Sequence, residues 1–545
     1  MRSVVRVLST LVVISAAVAS VSLSVHAQDT NEAPTTKSIL GSSKLRVAII
    51  GAGIAGSSAA YYLQHPELLN LPNNTGSDLQ FTIDVYEKDA QVGGRATSRN
   101  FTGSNPANAV TVDIGGSLFV SANANMMALS GSVGVERNEN PMSDPRIKPV
   151  DIVWNGRTVS CMVEAGSIWD PATWAARPDI ASRYGGIETL TNKFYPAVGM
   201  FLQQFAPIYQ QQGQWSSVSD LVSRLGMQPL LQTSFYDYLT KQFGVPAIFV
   251  DEVVSALTNN NYGVDARTIH AAAGLVSSIP IIDKMLSIKG GNQKLVEALL
   301  SKSGAKVRVN SPVVNAVSFQ SGICNSDVFE KALEFAASIN VNLAEAARRF
   351  LSCRPLWVVQ PANGLPQLYD AVIFAAPFYN TPLLPITTRR LKVNNVDFKN
   401  LHVTVVTGNQ RPSYYGQDNT VAPSTVWAAD SANSRPEFRS MGAVGYVDDD
   451  AQGKTLIKYF SDAELSSAQI ANMFTSASNV FRHKWAAYPI MSPANYAANG
   501  AGQLNVAAGA WYVNAMEPFI STMETETISA KNIASLMRQW FANLS

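Results

Sequence analysis

Cysteine and histidine are the scarce residues of this chain, with three cysteines and five histidines in 545 residues. Cys161, Cys324 and Cys353 are too few for a disulfide scaffold, and no spacing among them and the histidines builds a zinc set, so no metal centre is expected. Cys324 and Cys353 flank a helical-looking stretch and either form one bridge or are two buried thiols. Charge is also sparse and balanced, with 41 Lys and Arg against 40 Asp and Glu. That leaves no concentrated basic face for a nucleic-acid partner. Beyond the N-terminus no apolar run is long enough to span a bilayer, so no transmembrane span is expected in the mature chain. The one such run, Val7 to Val25, follows Arg2 and Arg6, is diluted by serines and ends at the small-x-small triplet Val25-His26-Ala27. This is the pattern of a signal peptide over residues 1–27, the alternative being an uncleaved anchor. The expected address is the secretory pathway, either secreted or vacuolar/lysosomal. Sequons at Asn73 and Asn100 lie in polar loops where a glycan would be tolerated, and a third stands at Asn543.

What the chain has in quantity is hydrophobic residues, 46%, and glycines at telling positions. Val47-Ala48-Ile49-Ile50 reads as an apolar strand that turns into a helix through Gly51-Ala52-Gly53-Ile54-Ala55-Gly56. In such a dinucleotide cradle Gly51 allows the tight turn, Gly53 lets backbone approach a pyrophosphate, and Gly56 lets helix and strand pack closely. Phe81 to Tyr86 is a second strand ending at Glu87, the acidic residue expected on a ribose hydroxyl. Its distance from Gly56 exceeds the usual interval of about 20 residues because a polar, turn-rich stretch, Pro66 to Leu79, is inserted. Gly93-Gly94-Arg95 then brings a second glycine pair and an arginine towards phosphate, and Gly115-Gly116-Ser117 follows another strand with a turn whose amides could reach a flat ring.

The pattern is discontinuous. An FAD-binding first segment covers 44–130, and 131–284 is an aromatic-rich, largely helical substrate or cap segment. The FAD-binding middle segment is 285–380 with an insertion at 319–366, a second cap segment is 381–482, and 483–545 is the C-terminal FAD-binding segment. A nucleotide domain assembled from both ends and the middle of the chain is an FAD architecture. The expected fold is α/β, an FAD-binding Rossmann-like domain with an inserted α+β cap domain.

The glycine set at 51–56, 93–95, 115–117 and 290–292 resembles the flavin monoamine oxidase superfamily. Within it, Lys484-Trp485-Ala486-Ala487-Tyr488-Pro489, Ser521-Thr522-Met523-Glu524 and Ala530-Lys531-Asn532 resemble the prenylcysteine oxidase (prenylcysteine lyase) family. The likeness runs from Arg46 to Trp540 and is weakest from Phe319 to Pro366, where a helical insertion departs from the family's short hairpin. The resemblance implies an FAD-dependent thioether oxidase that takes a prenylated cysteine and oxygen to cysteine, a prenyl aldehyde and hydrogen peroxide. It implies cofactor contacts at Gly51, Gly53, Gly56, Glu87, Gly94, Arg95, Gly115, Gly116, Ser117, Val313, Met523 and Glu524. No obligatory catalytic side chain follows from that chemistry. Trp485 and Tyr488 are either pocket walls near the flavin or core aromatics. Two rivals stand beside this reading, a flavin amine oxidase and a non-catalytic prenyl-binding escort-like protein. Met516-Glu517, where an amine cage would place a second aromatic, disfavours the first. The complete Glu87 and Gly93-Gly94-Arg95 set disfavours the second.

Overall fold

The computed structural model describes residues 44–103, 109–141, 144–319, 355–383, 391, 393, 396–416, 421–431, 433–447, 454–494 and 502–544. The signal segment 1–27, Cys324 and Cys353 lie outside them. Cys161 is buried and free.

Two sheets organise the chain. The first has six strands in the order Lys306–Arg308, Phe81–Tyr86, Leu45–Ile50, Ala371–Phe374, Ala510–Tyr512 and Asn505–Ala507. Every pairing is parallel except the last, with Ile49 set between Val85 and Ile373. A parallel sheet must be covered on both faces, which is why Val47, Ile49, Val85 and Ile373 are all buried. Helix Ile54–Gln64 packs against helices Gln293–Ser303 and Met523–Ala542. The C-terminal helix also carries the buried Arg538, whose guanidinium donates to the carbonyls of Leu63 and Gly76. The inserted stretch 66–79 is thereby pinned behind the helix, away from the glycine turn. Strand Val313–Phe319 pairs antiparallel with Leu356–Pro361, so the two strands of a hairpin are present. The 319–366 stretch thus includes the hairpin's return strand, which composition alone had merged with the insertion.

The second sheet has seven strands, ordered Phe474–Pro489, Phe398–Gln410, Thr455–Ser461, Ser440–Tyr446, Thr425–Ala428, Val150–Trp154 and Val159–Glu164. Alternation along each strand splits its side chains between two faces. On one face Ile152, Val426, Met441, Ile457 and Tyr459 form a core with Tyr415 and helix Ser467–Met473. On the other, Val403 and Val405 pack against Val112 and Ile114 of the strand that leads into Gly115-Gly116. Helices from 171 to 282 complete the cap. The stretch 215–243, which reads as continuous helical pattern, is three short helical segments, 218–224, 228–232 and 235–242, because Leu225-Gly226-Met227 and Thr233-Ser234 interrupt it. A small sheet joins Phe119–Val120 and Arg137–Asn138 to Met285–Ile288, so it straddles the boundaries drawn at 130 and 284.

Candidate active site

A cavity of about 2530 Å³ runs from the glycine turn of the parallel sheet, across the open face of the seven-stranded sheet, to helices Tyr195–Phe205 and Ala271–Ile282. A pocket for one small ligand is about 300–1,000 Å³, so this volume accommodates a dinucleotide and a second molecule. Every residue named above for the cofactor lines it except Gly56.

The three glycines of the turn separate cleanly by what surrounds them. Gly51 has φ +109°, and a Cβ there would lie 2.6 Å from the Ala375 carbonyl oxygen. A Cβ on Gly56 would lie 2.0 Å from the Gly51 oxygen, so both positions are demanded by the fold. Gly53 is different. Its φ is −83°, open to any residue, and the nearest atoms to an added Cβ are the Gly93 oxygen at 3.7 Å and the Gly94 Cα at 4.0 Å. Neither backbone nor packing requires a glycine there, so its smallness leaves room for something other than protein. Helix Ile54–Gln64 begins at that point with no side-chain cap, and its first amides have no carbonyl ahead of them. The Gly93 amide donates to the Ala52 carbonyl at 3.0 Å, closing the second glycine loop over the first. Together these features fit the pyrophosphate of FAD.

Glu87 is buried at the end of its strand, where Oε2 accepts from the Ala52 amide at 2.9 Å and Oε1 from the Asp89 amide at 3.0 Å. Burial raises its carboxyl above the usual range, and the two amides pull it back. The Ser311 amide donates to the Glu87 carbonyl at 2.7 Å, which sets Ser311, Pro312 and Val313 along the same end of the cavity. This end suits a ribose and a base.

Four other positions, Arg95, Gly115, Gly116 and Glu524, hold their place for reasons the sequence does not show. Arg95 does not keep its guanidinium spare for phosphate. It is paired with the buried Glu517 and donates to the Ala487 carbonyl at 2.9 Å. Two carboxylates, Glu517 and Glu526, share the Asn514 amide nitrogen at 2.7 and 3.0 Å, so the arginine is consumed in balancing them. The Gly116 amide donates to the Arg95 carbonyl at 2.8 Å rather than standing free. A Cβ on Gly115 would lie 2.2 Å from Trp485 Cη2, so Gly115 is small because the indole rests on it. The Glu524 carboxylate accepts from the amides of Asn125 and Met126 at 2.9 and 2.8 Å, acting as the N-terminal cap of helix Ala124–Ser132. What helix Met523–Ala542 offers the cavity is therefore its first turn and the Met523 thioether beside Gly116. The turn at Gly290-Gly291-Asn292 is a clamp: the Asn292 amide donates to Asp113 and its side chain to the Gly116 carbonyl at 2.8 Å.

Trp485 and Tyr488 both line the cavity. Tyr488 meets Tyr262 edge-to-face, with centroids 5.2 Å apart and planes at 85°. The Tyr262 hydroxyl donates to the Ser521 carbonyl at 3.1 Å, tying the cap to the segment before the last helix. The lining also has an apolar stretch of Leu202, Phe205, Val276, Ile279, Ile281 and Met285, with Gln203, Asn260, Asn261 and Ser277 as its polar members.

Sequence reading missed Lys458. It lies on strand Thr455–Ser461 facing the cavity, and its ammonium donates to the Asp113 carbonyl at 3.0 Å and to Ser117 Oγ at 2.9 Å. Burial lowers its pKa to about 8, offset in part by Asp113. The available signal was a lone lysine inside the apolar strand Leu456-Ile457-Lys458-Tyr459-Phe460. Among the described residues no cluster of His, Cys, Asp and Glu could hold a metal ion, and no helix is long and apolar enough to cross a membrane.

Comparison with known proteins gives the same direction. The sequence profile of the prenylcysteine lyase family matches residues 179–545, and that of an NAD(P)-binding Rossmann-like domain matches 49–130. The chain is 24% identical to prenylcysteine oxidase 1 of Bos taurus, over 91% of this chain and 89% of that one. It is 21% identical to farnesylcysteine lyase of Arabidopsis thaliana, over 92% and 90%. Similar solved structures include a putrescine oxidase bound to putrescine (TM-score 0.51, 14% identity, 90% of this chain and 98% of that one). Another is cyclohexylamine oxidase from Brevibacterium oxydans (TM-score 0.54, 12% identity, 91% and 99%). At these identities the structures establish a shared fold alone.

Proposed function

This chain belongs to the prenylcysteine lyase family, and we propose that it cleaves the thioether of a prenylated cysteine such as farnesylcysteine. It is an FAD-dependent oxidoreductase. The observation that carries the finer reading is one continuous cavity that joins the dinucleotide cradle at Gly53 to a largely apolar arm lined by helices Tyr195–Phe205 and Ala271–Ile282.

The overall conversion takes the thioether, one water and one oxygen to a prenyl aldehyde, cysteine and hydrogen peroxide. Bound FAD would supply the two-electron acceptor, held by the amides at the start of helix Ile54–Gln64 and by Glu87, against the cavity wall formed at Gly115 to Ser117. The protein's own part is placement. The carbon that is oxidised lies beside sulfur and a double bond, both of which stabilise positive charge, so no side-chain base is demanded. Trp485 and Tyr488 wall the passage between the glycine turn and the apolar arm, and the Tyr262 hydroxyl keeps cap and nucleotide domain in register. An isoprene unit fully buried in the arm contributes at most roughly 4 kcal/mol at about 0.8 kcal/mol per CH₂. Chain length therefore governs affinity, and the fixed tail orients the reacting carbon.

The amine-oxidase alternative needs an aromatic cage. Tyr262 and Tyr488 supply a second ring, but the two stand edge-to-face, so they do not present parallel faces to a cation. The deciding experiment is anaerobic mixing of the flavin-loaded protein with farnesylcysteine. Bleaching of flavin absorbance, followed on admission of oxygen by farnesal and peroxide in equal amounts, supports the proposal. Bleaching by simple amines and by no prenylcysteine refutes it, and a protein that takes up no flavin points to the escort reading.

A further inference from the structure

The cap sheet carries one row of cross-strand neighbours, Phe481, Val405, Lys458, Gly442, Thr425 and Asp151, all of which line the cavity except Val405, packed against Val112 and Ile114. Two members break the expectation for a half-buried strand. Gly442 sits mid-strand, where glycine weakens the sheet and often marks close approach of a ligand. Its φ is not positive, and a Cβ built on it would meet nothing within 4 Å, so neither conformation nor packing explains it. Its neighbour Lys458 is enclosed except towards the cavity, and two of its three N–H donors are taken by the neutral acceptors Asp113 O and Ser117 Oγ. The one nearby carboxylate, that of Asp113, is held by Ser98 Oγ at 2.5 Å and by the Asn292 amide at 2.9 Å. The lysine thus has a donor left over, a charge with no direct counter-ion among the described residues, and open floor beside it.

We propose that Lys458 and Gly442 form the subsite for the α-carboxylate of the substrate's amino-acid head, the lysine as its counter-ion and the glycine as the space it occupies. This rests on the thioether-cleaving function proposed above. In a prenylated cysteine the carboxylate is separated from the reacting carbon by sulfur and two carbons, so a site anchored on Ser117, next to the Gly115-Gly116 turn, is within its reach. Asp151, at the far end of the row, does not pair with the same head group. Three strand spacings of about 4.8 Å put it about 14 Å from Lys458, whereas the carboxylate and ammonium of one amino acid share a single carbon.

The test compares S-farnesylcysteine with S-farnesylcysteamine, which lacks the carboxylate, in flavin-loaded wild type, K458M, K458R and G442V. Turnover of either compound by the wild type establishes thioether cleavage independently of this subsite. A charge-assisted hydrogen bond of about 1.5–3 kcal/mol corresponds to a preference of roughly 10- to 100-fold in kcat/KM for the carboxylate-bearing substrate. The preference is expected to collapse in K458M through KM, to be largely restored in K458R, and to be lost in G442V with flavin content unchanged. A wild type that does not discriminate, or a K458M protein that loses kcat equally on both compounds, overturns the assignment. Loss of flavin from K458M with the preference intact in the remaining holoenzyme would place the lysine on the cofactor, and would also overturn it.

Discussion

Alanine at position 53 separates folding from cofactor binding, because Gly53 is the one glycine of the turn that the protein itself does not need small. Its backbone, φ −83° and ψ −169°, suits alanine, and the new Cβ would stand in ordinary contact at 3.7 Å from the Gly93 oxygen. Two small terms of opposite sign apply. Alanine is a poorer N-cap than glycine by about 0.5–1 kcal/mol, and it restricts the unfolded chain, which returns about 0.4–1 kcal/mol. The net change in apo stability is expected within about 1 kcal/mol. Gly56→Ala, three residues on, places its Cβ 2.0 Å from a backbone oxygen that cannot move aside, and is expected to cost at least about 1–3 kcal/mol. In G53A the methyl occupies the space reserved for the pyrophosphate. Forfeiting even one charge-assisted amide bond, about 1.5–3 kcal/mol, weakens FAD binding roughly 10- to 100-fold. Thermal unfolding of the apo proteins and quenching of FAD fluorescence on titration measure the two effects separately. The reasoning is refuted if G53A binds FAD within twofold of wild type, or if apo G53A is as destabilised as apo G56A.

Glu524 is buried and its carboxyl is raised to about 7 by desolvation, so its contribution is complete below pH 4.5 and is lost as pH rises through 7. Wild type is expected to lose on the order of 3 kcal/mol more stability between pH 5 and 8 than E524Q, and parallel denaturation curves across that range would sink the idea. Lys458, lowered to about 8, is expected to make KM for farnesylcysteine climb above pH 8 as its charge is lost, whereas K458R stays flat over the same pH series. Val276→Trp narrows the apolar arm, so kcat/KM for a geranylgeranyl substrate is expected to fall at least tenfold more than for a geranyl one; equal losses would place the tail elsewhere. We further propose that the chain enters the secretory route, with residues 1–27 removed and, as glycan acceptors, the exposed Asn73 and Asn100, the latter on strand Ser98–Phe101 at the cavity and not in a loop. Intact mass before and after glycosidase decides this, and an unshifted mass beginning at Met1 counts against both parts.

The nucleotide half was legible because its signals are local. A strand, a turn with a required positive φ and a helix start lie within a dozen residues at Leu45 to Gly56, although the carbonyl that bars a side chain at Gly51 comes from the distant Ala375. Roles set by distant partners were not legible. Arg95 reads as a phosphate ligand until Glu517, more than 400 residues away, is seen to hold it. Glu524 reads as a cofactor ligand until the amides of Asn125 and Met126 are found on its carboxylate. In both cases an ionisable side chain is satisfied by protein, and periodicity carries no information about that.

The cap sheet shows the same limit at larger scale, and why the substrate end of the cavity is harder to read than the cofactor end. Strand Thr425–Ala428 pairs in parallel with Val150–Trp154, across a gap in sequence that holds the helical cap and much of the nucleotide domain. Lys458 and Gly442 come side by side through one such ladder, and Lys458 reaches Asp113 and Ser117 across the next layer. Each is unremarkable alone, a lysine in a strand and a glycine in a strand. Only their register sets a cation with no direct counter-ion among the described residues beside a glycine whose Cβ would meet nothing. Where cofactor contacts are made by backbone at fixed turns, sequence preserves them as glycines at set spacing. Where substrate contacts are made by side chains on a sheet floor, the signal lies in which strands are neighbours, and it emerges only once the chain is folded.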